Sequence, residues 1–396
     1  MANERATNAA PTSSDREREM TMERLRTGLA YDPRFLAHDT GVALVSAPVP
    51  VNGPFQVTPH PEGPYRVQAV HRTLEMTGLL ERLTPVTFEA VDDDVLALVH
   101  TDGYIEHLKT ACATGASEAG AYVPICAASE EIARLAAGAT IATVDAVIDG
   151  TLANAFALVR PPGHHALADA AMGYCLYNNV AIAARHARRR GVERIAIVDW
   201  DVHHGNGTES IFLDDPSVLY ISTHQDAWYP ADTGQAEVVG RGAGIGFNVN
   251  IPLPPGSGDA TYALVYERLV APILREFRPD LVLVSAGQDP NAYDPMGRMA
   301  VSSDGFRMIA RRVLDTATDV AGGRVAMVLE GGYGGYAPVC TWSIIEELAG
   351  WRSGVEDPYR SWYGSTPAAT LVAPEAETAL ARAAEIQRRT WRGVSV

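Results

Sequence analysis

Short runs of apolar, mostly β-branched residues alternate with longer amphipathic or alanine-rich stretches from about residue 130 onwards. Near-continuous apolar strands separated by helices are typical of a mostly parallel sheet covered on both faces, so we expect an α/β fold. The predicted strands are Ala155–Val159, Arg194–Asp199, Val218–Ser222, Asp280–Ser285 and Arg324–Leu329. The predicted helices are Glu131–Asp149, Asn178–Arg190, Asp259–Phe277, Ser303–Val320 and Cys340–Gly350.

The two ends of the chain differ from this regular part. Residues 1–25 are polar and lack the apolar core of a signal peptide, which predicts a disordered tail. The following stretch is rich in proline, glycine and histidine, with a short helical pattern at Val67–Leu83. Pro374–Arg392 reads as a final helix for surface or oligomer packing. We therefore predict one domain over residues 26–372, followed by a C-terminal helix and tail over 373–396.

Composition narrows the possible partners. The 396 residues carry a net charge of −16, which argues against a nucleic acid or an anionic membrane surface and is compatible with a cationic substrate. The single lysine, Lys109, leaves little room for Schiff-base or Walker-type chemistry. Four cysteines without a CxxC pair, and apolar runs shorter than the ~18 residues of a membrane helix, predict a soluble protein of a reducing compartment, the cytoplasm.

The residues best suited to chemistry lie just past the predicted strands. Ligands of open α/β sheets bind outside the carboxyl ends of the strands, so these residues are expected to form one composite site. In chain order they are His164, His165, Asp199, Asp201, His203, His204, Asn206, Asp289 and Tyr333.

Asp201 and His203 are candidates for a metal site. Residues two apart on an extended segment project to the same side, and Asp289 is placed to supply a third ligand from another strand. Two carboxylates and one imidazole suit a borderline divalent ion that keeps an open position for water. The alternative is a buried salt-bridge or capping network.

Histidine, tyrosine and other aromatic side chains supply further candidates. His164 and His165 could provide a general base and an electrostatic partner, oriented by Asp199 and Asn206, or form a structural pair. The Tyr333 phenol could donate a hydrogen bond to a developing oxyanion, or simply pack. Three more aromatic residues either line an entrance channel or belong to the core: Tyr174, Trp228 and Tyr229.

Taken together, four segments resemble the zinc-dependent histone deacetylase and acetylpolyamine amidohydrolase family, and most closely its class II and bacterial members. The segments are RPPGHHALADAAMGYCLYNN, IVDWDVHHGNGT, SAGQDP and LEGGYG, and the resemblance covers roughly residues 28 to 350. It implies an arginase/deacetylase-like fold and the hydrolysis of an acylated amine, such as acetyl-lysine, an acetylpolyamine or another small amide.

The resemblance also implies roles for individual residues. One zinc ion would be held by Asp201, His203 and Asp289. His165 would be the general base beside Asn206, His164 would pair with Asp199, and Tyr333 would hydrogen-bond the substrate carbonyl. A structural potassium ion would use Asp199, Asp201, His203, Ser222 and Thr223. A second potassium site would lie near Phe212, Asp215, Val218 and Phe247. The substrate channel would include Tyr174, Trp228, Tyr229, Gln288, Gly331 and Gly332.

Departures from the family pattern bear on the substrate. Gln288 stands where class II relatives usually carry phenylalanine, and both flanking channel positions, Tyr174 and Tyr229, are tyrosine where phenylalanine is common. Two other functions stay open, namely a catalytically silent module that binds acylated ligands and an arginase-like ureohydrolase. The single carboxylate in SAGQDP disfavours the second of these, which needs two metal ions. The resemblance also makes a homo-oligomer possible.

Overall fold

A β-sheet forms the centre of the computed structural model, which describes residues 27–44, 57–363 and 366–395. The strands in these ranges are β1 (Thr27–Ala30), β2 (Val42–Leu44), β3 (Val57–Pro59), β4 (Thr84–Pro85), β5 (Gly120–Ala121), β6 (Asn154–Ala157), β7 (Ala171–Met172), β8 (Ile195–Asp199), β9 (Val218–Gln225), β10 (Asn248–Leu253), β11 (Leu281–Ala286) and β12 (Val325–Leu329). The five predicted strands are confirmed as β6, β8, β9, β11 and β12. The tail predicted at 1–25 lies outside the described residues.

Eight of these strands form one parallel sheet in the order β10–β9–β8–β11–β12–β6–β1–β4. From β8 the chain moves outward through β9 and β10, then returns to the opposite side of β8 with β11 and β12. The strand order therefore reverses between β8 and β11. Such a reversal opens a crevice at the carboxyl ends of the strands, which is where ligands bind in open α/β sheets.

Helices cover the sheet, and the α/β fold class is confirmed. Every residue of β6, β8, β9, β11 and β12 is buried, so both faces of these strands are covered. The helices of the described ranges are Tyr65–Met76, Asp93–Leu96, Asp102–Ala113, Ser129–Ile148, Asn179–Arg189, Asn206–Phe212, Asp259–Val265, Ala271–Phe277, Ser303–Ala321, Ala337–Leu348, Arg360–Tyr363 and Pro374–Gln387. Short 3₁₀ turns lie at Pro33–Ala37, Leu80–Arg82, Gly242–Gly244 and Pro367–Ala369.

The helix predicted at Asp259–Phe277 is interrupted by a wider π-helical turn, Tyr266–Val270. Pro272 follows this turn, and a proline lacks an amide hydrogen and crowds the carbonyl four residues earlier. That carbonyl belongs to Arg268, and it accepts a hydrogen bond from the Ser395 amide instead, at 3.2 Å. The predicted bounds, Asp259 and Phe277, are those of the helical segment, and the π-helical turn within it is a feature that the sequence pattern did not predict.

Two other predicted helices are shorter than expected. The pattern at Val67–Leu83 forms the helix Tyr65–Met76, which ends before Gly78, a residue with a left-handed φ of +73°. The last helix ends at Gln387, beyond which the Trp391 indole donates to the Gly246 carbonyl at 3.1 Å. In the described ranges, no helix combines the length and apolar character needed to cross a bilayer.

Candidate active site

The turn that follows β6 carries the two adjacent histidines. It requires glycine at position 163, since a Cβ atom there would lie 2.5 Å from the Asn179 amide nitrogen and 2.9 Å from the Tyr177 carbonyl oxygen. The backbone amides of Gly163 and His164 both donate to Oε2 of Glu330, at 2.7 and 3.1 Å. The histidine turn is thus attached to the end of β12, the neighbour of β6 in the sheet.

His164 pairs with a carboxylate at the end of β8. Its Nδ1 lies 3.1 Å from Oδ2 of Asp199, which also accepts a hydrogen bond from the Tyr220 hydroxyl at 2.9 Å. Burial disfavours the charged imidazole, but the carboxylates of Asp201 and Asp199 outweigh this effect and raise the pKa of His164 to about 10. His164 is therefore a cation at neutral pH.

His165 is the opposite case, a neutral imidazole. Its Nδ1 lies 2.8 Å from Oδ1 of Asn206, whose amide nitrogen donates to the Met172 sulfur at 3.5 Å. This arrangement assigns the proton of His165 to Nδ1 and leaves Nε2 as the basic nitrogen. Burial lowers the pKa of His165 well below its ordinary range, and the charges of His164 and His203 lower it further.

Asp201, His203 and Asp289 form a compact buried cluster. Nδ1 of His203 lies 3.1 Å from Oδ1 of Asp201 and 3.0 Å from Oδ2 of Asp289. Oδ1 of Asp289 accepts from the Val202 amide at 2.8 Å, whereas its buried Oδ2 has no hydrogen-bond partner of acceptable geometry among the described residues. One carboxylate oxygen is thus free to bind a ligand at the centre of the cluster.

The two carboxylates of this cluster would be stabilised by a cation bound between them. Burial and the neighbouring Asp201 charge raise the pKa of Asp289 to about 6. Burial disfavours a charged His203, but its close contacts with the carboxylates of Asp201 and Asp289 outweigh burial and raise its pKa to about 10. Two buried carboxylates are stable together only with positive charge between them. Two oxygen donors and one nitrogen donor around such a position fit a divalent ion of the zinc type.

The turn after β8 brings these side chains together in a way that the sequence did not predict. The strand ends at Asp199, so Asp201 and His203 do not project from an extended segment. Instead, the Asp201 amide donates to Oδ1 of Asp199 at 3.1 Å, and the His203 amide donates to Oδ1 of Asp201 at 2.9 Å. His204 is bonded elsewhere, with its Nε2 3.2 Å from Oε2 of Glu209.

Tyr333 follows β12 on a glycine turn that touches the cluster. A Cβ atom at Gly331 would lie 2.1 Å from Oδ2 of Asp289 and 2.6 Å from Oδ2 of Asp201, so only glycine fits there. The Gly331 amide donates to that Asp201 oxygen at 2.7 Å. Burial raises the pKa of Tyr333 well above its ordinary value, and the phenol therefore stays protonated as a hydrogen-bond donor.

A buried charge cluster supports both turns from behind. Arg66 lies 4.6 Å from the centre of the Tyr333 ring and donates to the Gly332 carbonyl at 2.9 Å. Glu62 is fully buried, and its carboxylate binds Arg66 at 3.1 Å and Arg160 at 2.8 Å. Burial disfavours a charged Glu62, but the two arginines outweigh burial and hold its pKa below the ordinary value. The cluster is therefore ionised at neutral pH.

His38, 3.6 Å from Glu62 in this cluster, should make stability depend on pH. Burial lowers the pKa of His38 from 6.5 to about 4. Between these values the unfolded chain binds a proton that the folded protein does not, so this contribution to stability is complete above pH 6.5 and is lost as the pH falls towards 4. The shift corresponds to roughly 3 kcal/mol.

We therefore expect the free energy of unfolding in urea to fall between pH 6.5 and 4, and to fall less steeply in His38→Gln. His107→Gln, which changes an exposed histidine in the same way, should keep the wild-type slope. An unchanged slope in His38→Gln would show that His38 does not contribute to this pH dependence.

A cavity of about 370 Å³ opens onto these catalytic candidates. The Tyr229 ring lies 5.0 Å from the His165 ring at 90°, and the Tyr174 ring lies 6.0 Å from that of Tyr333 at 79°. Trp228 is 41% exposed at the mouth, where its indole donates to the Met296 carbonyl at 2.7 Å. The lining residues are Tyr122, His165, Gly173, Tyr174, His203, Trp228, Tyr229, Pro295, Met296 and Tyr333.

Three predicted channel residues lie elsewhere. Gln288 is buried behind the glycine turn, where its amide nitrogen donates to the Ala286 carbonyl and its Oε1 accepts from Thr341 at 2.9 Å. It lines a separate space of about 20 Å³ together with Gly332. Gly331 lies against the carboxylate cluster. These three residues are not among those that line the large cavity, and their place in the substrate channel stays a prediction.

The proposed potassium ligands stay predictions. Asp199 and Ser222 are partners in the β8–β9 register, and the Thr223 hydroxyl donates to the Asp199 carbonyl at 3.3 Å. The Ser222 hydroxyl is 2.8 Å from Nδ1 of His224. The residues of the second predicted site surround the start of β9 and the end of the preceding helix: Phe212, Asp215, Val218 and Phe247.

Some cavity residues were missed in the sequence. Tyr122, Pro295 and Met296 line the cavity without standing directly after a strand of the main sheet. Two of them could have been found from the sequence, since Pro295 and Met296 lie close after Asp289 in the loop that follows β11. Tyr122 belongs to a loop far from the main sheet in sequence, and only the fold brings it to the cavity.

Comparison with known proteins gives consistent matches. A family model described as "Histone deacetylase domain" matches residues 60–347. The histone deacetylase-like amidohydrolase of Pseudomonas aeruginosa is 43% identical over 342 residues, which is 85% of this chain and 90% of that protein. The human polyamine deacetylase HDAC10 is 42% identical over 284 residues, or 69% of this chain and 42% of that protein.

A solved structure shares the architecture as well. The structure described as the crystal structure of the HDA15 HD domain superposes with a TM-score of 0.81 at 33% identity, covering 93% of this chain and 96% of that chain. The match to the family model extends over more than half of the chain and includes every residue of the carboxylate–histidine cluster, the paired histidines and Tyr333. The chain therefore belongs to the histone deacetylase family, which includes histone deacetylase-like amidohydrolases.

Proposed function

We propose that the protein is a zinc-dependent amidohydrolase that hydrolyses the amide of an acylated amine. The observation that carries the proposal is the buried cluster of Asp201, His203 and Asp289, which lies beside a neutral His165 and opposite Tyr333 at the base of one cavity. A silent acyl-binding module would need the cavity but not this full set of proton-transfer groups.

The proposed metal is zinc, held by Asp201, His203 and Asp289. When bound, it would supply a Lewis acid that polarises the amide carbonyl and lowers the pKa of the attacking water. Asp289 contributes a buried oxygen without another suitable partner, and His203 contributes Nδ1, which faces both carboxylates. An arginase-like enzyme would need two metal ions, whereas Asp201, His203 and Asp289 offer two carboxylates and one imidazole, a set that suits one ion and favours the amidohydrolase.

His165 moves the proton in this mechanism. Its Nε2 takes a proton from the attacking water as the new carbon–oxygen bond forms, while Asn206 fixes the ring through Nδ1. The same nitrogen then gives the proton to the departing amine nitrogen as the carbon–nitrogen bond breaks. The products are a carboxylic acid and a free amine. His164 stays paired with Asp199, whose carboxylate favours its protonated form, so that it can stabilise nearby negative charge.

Tyr333 binds the oxygen that gains charge during the reaction. Its phenol is buried and protonated, so it can donate a hydrogen bond to the amide oxygen in the transition state. The glycine at 332, with φ of +120°, allows the sharp turn that presents this ring. The cation of Arg66 against the ring face also favours partial negative charge on the phenol.

The identity of the amine is tested with matched substrates. Acetyl-lysine peptide, acetylputrescine, acetylspermidine and a neutral acetanilide would be incubated with wild-type protein, with metal-stripped protein, and with stripped protein given one equivalent of zinc. We expect release of acetate to disappear on stripping and to return with zinc. Turnover of no substrate despite one bound zinc per chain would favour the silent binding module.

Tyr333→Phe should retain zinc and lose most of its turnover. Loss of a hydrogen bond to the developing oxyanion typically costs about 10²- to 10³-fold in kcat, and we expect a loss in that range. Tyr293→Phe deletes the hydroxyl of an exposed ring outside the cavity lining and should keep wild-type kcat. Zinc content by elemental analysis and steady-state kinetics would be measured on both, and an unchanged kcat in Tyr333→Phe would remove the oxyanion role.

A further inference from the structure

Glu330 is a fully buried carboxylate that the proposed mechanism does not use. Its Oε2 accepts from the amides of Gly163 and His164, at 2.7 and 3.1 Å, and its Oε1 accepts from the Ser285 hydroxyl at 3.0 Å. Three donors from two neighbouring segments therefore converge on one side chain. Two of them belong to the turn that carries both catalytic histidines.

The main chain of the same residue supports the opposite wall of the site. The Glu330 carbonyl accepts a hydrogen bond from Arg66, and the guanidinium of Arg66 lies against the Tyr333 ring. Glu330 precedes Tyr333 by three residues, on the glycine turn. Its side chain thus binds the histidine turn, while its backbone is part of the glycine turn that carries Tyr333.

We propose that Glu330 is a positioning residue that sets the separation between the His164–His165 turn and Tyr333 through the two amide hydrogen bonds to its carboxyl oxygen. The inference rests on the proposed function, since it concerns the groups that move the proton and bind the oxyanion. Misplacement of reacting groups by about 1 Å can cost 10²-fold in rate, so a fixed separation matters.

The hydrogen bonds require an acceptor at Oε2, not a negative charge. Burial raises the pKa of Glu330 to about 7, so neutral and ionised forms are both accessible near neutral pH. A proton on Oε1 would face the Ser285 oxygen and leave both amide bonds to Oε2 unchanged. Glutamine can reproduce this pattern, with its Oε1 accepting from the two amides and its amide nitrogen donating to Ser285.

A metal site at this position is the competing interpretation. His164, Cys175 and Glu330 place possible ligand atoms within 4.8 Å of one another. However, both oxygens of Glu330 already accept hydrogen bonds, and burial raises the pKa of Cys175 well above its ordinary value, which keeps it a thiol. The group is better explained as the packing that supports the histidine turn.

The test compares Glu330→Gln with Glu330→Ala in the zinc-loaded enzyme. We expect Glu330→Ala to lose about 10- to 100-fold in kcat, the range typical of groups that orient active-site ligands, with KM within about threefold and one zinc per chain. Glu330→Gln should recover kcat to within about fivefold of wild type, with an unshifted pH–rate profile. Ser285→Ala removes only the third hydrogen bond and should behave like wild type.

Three results would overturn the proposal. They are a Glu330→Gln enzyme as slow as Glu330→Ala, a Glu330→Gln profile shifted along the pH axis, and a Glu330→Ala enzyme within threefold of wild type. The first two would mean that the charge matters rather than the acceptor.

The proposal can also be tested without turnover. Nitrogen NMR of the His164 and His165 rings should show displaced signals in Glu330→Ala and near wild-type signals in Glu330→Gln. If the variants showed this NMR pattern but the wild-type protein hydrolysed none of the substrates, the positioning role would stand and the proposed function would be rejected. Unmoved ring signals in Glu330→Ala would reject the positioning role itself.

Discussion

Asp289→Asn is expected to bind zinc at least about a hundredfold more weakly than wild type, because removal of groups that only orient a ligand already costs 10- to 100-fold. The substitution is specific to the cluster. The asparagine oxygen can still accept from the Val202 amide, as Oδ1 does now at 2.8 Å. The amide nitrogen would replace Oδ2, the buried oxygen 3.0 Å from Nδ1 of His203. Turnover should disappear together with the metal.

The measurement is zinc content after dialysis, followed by the zinc Kd from competition with a chelator. Asp259→Asn makes the same chemical change in a mostly buried carboxylate outside the cluster, one that accepts from the Ser302 amide at 2.8 Å. It should cost stability and leave one zinc per chain. A wild-type Kd in Asp289→Asn would show that Asp289 is not a ligand.

His165→Ala is expected to lose about 10³- to 10⁴-fold in kcat at every pH, the upper part of the range for general acid–base catalysis, while retaining zinc. The effect should be pH-independent, because the other imidazole among the described residues that line the cavity, His203, belongs to the proposed metal site. His164 is not placed to substitute, since its Nδ1 is paired with Asp199 and the residue is not among those that line the cavity.

A second substitution, at Asn206, tests more specifically whether His165 is the general base. Asn206→Ala leaves the His165 ring in place but removes the hydrogen bond to Nδ1, and it should cost only about 10- to 100-fold. Full pH–rate profiles of both variants against wild type would be recorded, together with zinc content. Turnover within tenfold of wild type in His165→Ala would reassign the general base.

The sheet could be predicted from the sequence because its strands are buried on both faces. Continuous apolar runs such as Val325–Leu329 mark a strand without any need for alternation, and the predicted bounds differ from the observed ones by a few residues. The π-helical turn inside the helix Asp259–Phe277 could not be predicted, for a local reason. The apolar periodicity of the helix continues across Pro272, and periodicity alone does not register a missing amide hydrogen.

The grouping of the site could also be predicted, because parallel strands bring their carboxyl ends to one edge. Asp201 and Asp289 follow neighbouring strands, and the structure brings them to the same histidine. The local conformation could not be predicted. Asp201 and His203 reach the same point through side chains that bind the amides two residues ahead, not through strand geometry.

The contacts of residues that support the site from behind could not be predicted from the sequence. Gln288 stands directly before Asp289 in the chain, yet the turn buries its amide against Thr341. The sequence showed Glu330 only as one residue of the LEGGYG motif. Its hydrogen bonds could not be predicted, because the two amide donors belong to a turn more than 160 residues earlier. Long-range hydrogen bonds of this kind depend on the packing of the whole sheet and have no local pattern.

The hydrogen bond between Ser395 and the Arg268 carbonyl links the end of the described chain to the middle of the helical segment that lies between β10 and β11 in the sequence. Pro272 frees that carbonyl, and the C-terminal segment satisfies it. A chain shortened before Trp391 would therefore lose more than a surface extension, because the Arg268 carbonyl would lose its Ser395 donor and the Gly246 carbonyl its Trp391 donor.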